Sequence, residues 1–116
     1  MAYDPELAER IRRALAERIG VTEKAMFGGL SFLLNGKTFC GIVKRDLMVR
    51  VGPDRYEESL ARPHVRPMDF TGKPLKGYVY VGPEGCRTQP MVRSWVDKGI
   101  AFVETLGPLR ARRSRR

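Results

Sequence analysis

MFGGLSFLLNGKTFCGIVKRDLMVRV, residues 26–51, is the one long region of the chain in which apolar residues alternate, and its reading decides the fold. Asn35-Gly36 separates two of the alternating runs. A two-residue type I′ turn needs positive φ at both central positions, which asparagine and glycine supply, so the pair predicts a β-hairpin. That turn sets Leu34 opposite Lys37, Phe32 opposite Phe39, Leu30 opposite Gly41 and Gly28 opposite Val43. Directly opposed residues share a face, which collects Leu30, Phe32, Leu34, Phe39 and Val43 into one apolar surface. Leu47, Val49 and Val51 mark a third strand that must join the same surface, because a one-residue slip turns every side chain over. A three-residue turn, Lys44-Arg45-Asp46, satisfies that parity. It places the three residues opposite Val43, Gly41 and Phe39, with Asp46 in the left-handed conformation.

The other face of this meander carries Phe27, Leu33, Ile42 and Met48 among Ser31, Thr38 and Arg50. With helices covering the first face, such a surface suits a partner or a second subunit. Gly28-Gly29 has the look of a phosphate loop, but no helix start and no GK[ST] follow it. Glycines inside a strand mark a bulge or a close approach instead.

Working outward, Asp4-Pro5-Glu6 is a helix start, with a capping acceptor, proline at the first helical position and an acid in the first turn. Leu7, Ile11, Ala14, Leu15 and Ile19 continue an amphipathic stripe, which predicts a helix over 5–18 ended by Gly20. Gly52-Pro53-Asp54 breaks the sheet and opens a short helix, Pro53 to Ala61. Val65–Phe70 reads as a strand held to an edge or partial ladder by Pro67. Residues 71–77 read as a loop, and Tyr78–Val81 as the fifth strand. A final helix runs from Arg87 or Thr88 to Leu106 and is stopped by Gly107-Pro108. Its buried stripe is Val92, Trp95, Val96, Gly99, Ile100, Val103 and Leu106, with Trp95 as the core anchor. The expected fold is α+β in two layers, a five-stranded antiparallel sheet covered by helices in the order α-β-β-β-α-β-β-α.

The chain has 116 residues, 42% hydrophobic and 30% charged, enough for one core. No apolar run reaches a membrane span and the N-terminus lacks the order of a signal peptide, so a cytoplasmic, non-membrane protein is expected. Cys40 and Cys86 are far apart without CxxC spacing, which reads as two free thiols in a reducing compartment. The net charge is +9, and residues 108–116 form a basic tail distinct from the domain at 1–107. Arg110, Arg112, Arg113, Arg115 and Arg116 supply five of those charges and leave +4 on the rest. Clustered arginine attracts phosphate by counterion release, so these five are the candidate nucleic-acid contacts; the plainer reading is a solvated tail.

Catalytic chemistry is not legible. His64 is the single histidine, in a proline-bounded loop without an orienting partner nearby. It has no metal-ligand spacing with Cys40 or Cys86, and no closely spaced carboxylates offer acid–base work. The expectation is a protein that is not an enzyme and needs no metal or cofactor. Lys76-Gly77-Tyr78-Val79-Tyr80-Val81 has the form of an aromatic RNA-binding strand. Val79 stands where that motif wants a small residue and the element order differs, so Tyr78 and Tyr80 read as core or half-buried packing.

Several segments together resemble the N-terminal domain of the TfoX/Sxy family. They are Met26-Phe27-Gly28-Gly29, Leu30-Ser31-Phe32, Asn35-Gly36-Lys37-Thr38-Phe39, the strands Asp46–Val51 and Gly77–Val81, and the Trp95-bearing helix. The resemblance covers about residues 1–107. It implies a two-layer α/β domain of regulators of natural competence, which act with the cyclic-AMP receptor protein on transcription. It implies no catalytic residues, and this chain would be the stand-alone form without the second, helical domain. A regulatory module working through a protein partner or nucleic acid is the first expectation. A homodimeric protein-binding domain with no nucleic-acid role is the second.

Overall fold

The computed structural model describes residues 3–26, 29–70 and 73–106. In chain order these form α1 (Pro5–Ala14), β1 (Val21–Met26), β2 (Gly29–Leu34), β3 (Lys37–Val43), β4 (Asp46–Arg50), α2 (Tyr56–Leu60), β5 (Val65–Phe70), β6 (Lys73–Val81) and α3 (Gln89–Thr105). Short 3-10 turns, Pro53–Arg55 and Pro83–Gly85, precede α2 and α3. The strands make one antiparallel sheet in the order β1-β2-β3-β4-β6-β5. The α+β class and the antiparallel sheet are as expected, but there are six strands, not five. The added one is β1, an edge strand with the sequence VTEKAM, too polar for alternation to reveal it.

Making room for β1 also shortens the first helix. It ends at Ala14, with Leu15 as C-cap, instead of reaching 18. Ile19 therefore leaves the predicted stripe and is 91% exposed. The predicted start holds, since the Asp4 carboxylate accepts from the Glu6 N–H at 3.0 Å. At the other end of the chain β6 begins at Lys73, so most of the predicted loop is strand; residues 71 and 72 lie outside the described residues, as does the Gly107-Pro108 stop.

Asn35 and Gly36 take φ of 50° and 84°, and Leu34 pairs with Lys37, as the Asn-Gly corner predicts. The next pairs depart from expectation. Leu33 pairs with Thr38, yet Phe32 pairs with Cys40 and Leu30 with Ile42. Phe39 is the additional residue, a β-bulge, and Phe39 and Cys40 are both fully buried. Beyond the bulge the parity of β3 is reversed, so Ile42 enters the core in place of Val43. The β3–β4 turn needs only two residues, Lys44-Arg45, with Val43 paired to Asp46. Lys44 takes the positive φ, 59°, that Asp46 was expected to take. Leu47, Val49 and Val51 still reach the core face, because the parity change is made inside β3 and not in the turn.

Two ladder rows build the core floor. Leu30, Ile42, Leu47 and Val81 form one, and Phe32, Cys40, Val49 and Val79 the other. Leu7 and Ile11 of α1, Tyr56 of α2 and the stripe Val92, Trp95, Val96, Ile100 and Val103 of α3 join the same cluster. All three helices thus lie on one side of the sheet. Gly99 sits where α3 crosses the bulge: a Cβ there would stand 2.5 Å from the Phe39 carbonyl oxygen. At the sheet edge Arg12 of α1 holds Glu23 of β1 in a bidentate pair, Nε and Nη2 each donating at 2.8 Å.

Gly99→Ala is expected to destabilise the fold by about 1–3 kcal/mol, since the obstructing atom is backbone and α3 must lift; a lowered urea midpoint at unchanged slope is the readout. The hydrogen bonds from Arg12 hold the Glu23 carboxyl below its ordinary range. The pair therefore stabilises the fold at neutral pH and ceases to as acid protonates Glu23. Wild type and Glu23→Gln should differ by under about 1 kcal/mol at pH 7, as suits a partly exposed pair, and converge as the pH falls through the carboxylate range.

Candidate functional site

With the helices on one side, no described segment covers the opposite side of the sheet. One row crosses all six strands there: Lys24, Ser31, Gly41, Met48, Tyr80 and Arg66, each directly paired with the next. Tyr78 and Arg50, paired with each other two residues along β6 and β4, belong to the same face. So does Asp46, two residues before Met48 and opposite Val43.

This face holds a groove of about 270 Å³, lined chiefly by Met48, Met68, Leu75, Tyr78 and Tyr80 over the floor at Gly41. Gly41 contributes no side chain, and the Leu30 carbonyl and the Met48 methyl end close over the space a Cβ would take. Met68 lies where the β5–β6 ladder shifts register, and it closes one wall at 9% exposure. Leu75 stands on the rim at 38% exposure.

Cations flank the aromatic wall. The Arg66 guanidinium lies 4.9 Å from the centroid of Tyr80 and donates to Asp46 at 2.6 Å; that hydrogen bond holds the Arg66 pKa above its ordinary value. The Arg50 guanidinium lies 5.5 Å from the Tyr78 centroid and 5.2 Å from that of Phe102. Guanidinium over an aromatic face is an attractive arrangement. Among the described residues neither Arg50 nor Lys24 meets a carboxylate at ion-pair distance.

Of the residues expected on the partner face, Leu33 and Met48 are there, half-buried and buried in turn. Ile42 is not. It is 1% exposed in the core row with Leu30 and Leu47, because the Phe39 bulge reverses the parity on which its placement rested. Phe27 lies outside the described residues, as do Arg110, Arg112, Arg113, Arg115 and Arg116. Tyr78 and Tyr80, read from sequence as packing residues, line the groove half-exposed. Their shared parity was visible in the sequence; which face it selected was not.

The chemistry-bearing residues are dispersed. Cys40 and Cys86 are buried and unlinked. Burial pushes the Cys40 thiol far above its ordinary value, and burial first, then the Asp46 charge, pushes Cys86 up to about 11. His64 lines a separate cleft on the helix side with Arg62, Glu84, Arg87, Ser94 and Trp95. Trp95 is a core anchor at 4% exposure, with Arg62 at 5.5 Å and Lys98 at 5.2 Å from its ring. Among the described residues no group of three His, Cys, Asp or Glu side chains is placed to hold a metal ion. No helix among them is long and apolar enough to cross a membrane.

Residues 13–103 match the family profile of the TfoX N-terminal domain. The chain belongs to this family. The match begins inside α1 and ends two residues before the end of α3, so the TfoX N-terminal domain here includes all six strands, the Phe39 bulge and the whole uncovered face. No curated protein and no solved structure matches the chain.

In this TfoX N-terminal domain neither thiol is placed for nucleophilic work, because the thiolate is the reactive form and both sites disfavour it. A thiol-specific chromogenic reagent at neutral pH should leave both cysteines unmodified in the native protein and titrate both after unfolding in urea. Rapid native modification of either would contradict the burial described.

Proposed function

We propose that this protein is a non-enzymatic regulatory interaction domain of the competence-regulator kind, which works by holding a partner against the uncovered face of its sheet. The observation that carries the reading is the groove on that face, walled by Met48, Met68, Leu75, Tyr78 and Tyr80. A sheet side left free by every helix, with large apolar and aromatic side chains in a concave patch rimmed by cations, has the make-up of an interaction surface. Membership of the TfoX N-terminal family supports a role in transcription regulation. The buried, proton-holding cysteines support a role without covalent chemistry. The arginines at 110, 112, 113, 115 and 116 add phosphate affinity to the same module. A second copy is the less favoured occupant, because two such faces, each bearing Lys24, Arg50 and Arg66, would repel.

Deleting the gene in the native host and profiling transcripts tests the reading. A defined set of transcripts should change. Wild type and Ile19→Glu, which alters a residue remote from the groove, should restore them; Thr38→Glu or Leu75→Glu, both of which line the groove, should not. Full restoration by both groove variants would remove the face from the function.

A further inference from the structure

The identity of the partner is constrained by which chemistry the face offers. Tyr78 and Tyr80 occupy alternate positions of β6, so their rings lie side by side, ~6.7 Å apart along the strand. Each is flanked by a guanidinium: Arg50, shared between the Tyr78 ring and that of Phe102 from α3, and Arg66, over Tyr80. Unpaired nucleobases stack on both aromatic rings and guanidinium planes, whereas bases inside a duplex do not expose their faces. Among the described side chains of the face, the cations Lys24, Arg50 and Arg66 outnumber the one carboxylate, Asp46, which Arg66 already holds. Without the five terminal arginines the chain still carries +4. An acidic peptide would satisfy the cations but make no use of two adjacent tyrosine platforms. A duplex is a poor fit, since its base faces are stacked inside and out of reach of the two tyrosines.

We infer that the uncovered sheet face binds single-stranded nucleic acid, with successive bases stacked at the Tyr78–Arg50 and Tyr80–Arg66 platforms and the backbone phosphates drawn to Lys24 and Arg50. This rests on the proposal that the face is the working surface, and it names the occupant. Gly41 and Met48 form the floor beside the platforms. The contribution of the face is separate from that of the terminal arginines, which contact phosphate without reading a base.

Fluorescence anisotropy with a short labelled oligouridylate, an oligothymidylate of equal length and a blunt duplex tests the inference on the full-length chain. The tail is neutralised by replacing Arg110, Arg112, Arg113, Arg115 and Arg116 with alanine. This variant should still bind both single strands in preference to the duplex. In that background Tyr78→Ala and Tyr80→Ala should each weaken binding by roughly five- to a hundredfold, while Tyr80→Phe stays within about twofold. Arg50→Ala should flatten the dependence of affinity on salt. Retained far-UV circular dichroism and urea midpoint in each variant keep the result a statement about binding. Loss of all single-strand binding on neutralising the tail overturns the inference, and so does equal binding of duplex or indifference to both tyrosine variants. If that loss accompanies failure of Leu75→Glu to restore transcripts, the face is in use with a protein occupant and only the nucleic-acid assignment falls.

Discussion

The structure turns on the contact between the Phe39 carbonyl and Gly99. An extra residue in β3 places Phe39 and Cys40 both in the core, and the bulged backbone stands out toward the helix layer. Only a residue without a side chain lets α3 lie directly on it, since a Cβ would come to 2.5 Å from that oxygen. Bulge and glycine are therefore complementary. The bulge corrects the parity of β3, and the glycine lets the longest helix use the corrected face as its floor.

That arrangement explains why the sheet has one dry side and one open side. Past the bulge the residues of β3 exchange faces, and the two-residue turn carries that parity into β4. Ile42 and Leu47 go to the core while Gly41 and Met48 come to the open face. β6 pairs with β4 from Leu47–Val81 to Arg50–Tyr78, so its two tyrosines inherit the open side from the same parity. The groove is thus a consequence of how the core was closed. Its composition, apolar at the floor and cationic at the margins, suits a ligand that presents flat faces and negative charge together.

The edges of the sheet are managed differently from its centre. β1 carries Glu23 and Lys24 in an otherwise weakly apolar strand, and Arg12 fixes it to α1 through Glu23. At the opposite edge Pro67 lies in β5, where a missing N–H costs no ladder bond to a further strand. Charge at one edge and proline at the other both discourage open-ended strand pairing.

Local chemistry in the sequence was sufficient for the Asn35-Gly36 corner, the Asp4-Pro5 helix start, the extent of β5 and the buried stripe of α3, because each depends on a few neighbouring residues and a fixed period. The same period made clear that Leu47, Val49 and Val51 had to join Phe32 on one face. It could not say where the chain would adjust to bring this about, since a turn of three residues and a bulge at Phe39 satisfy the alternation equally. Packing against Gly99, sixty residues away, selected the bulge, and with it sent Ile42 inward and left Tyr78 and Tyr80 on the side no helix covers. β1 escaped notice for a related reason: an edge strand gains its order from the neighbour it pairs with, not from an apolar pattern of its own.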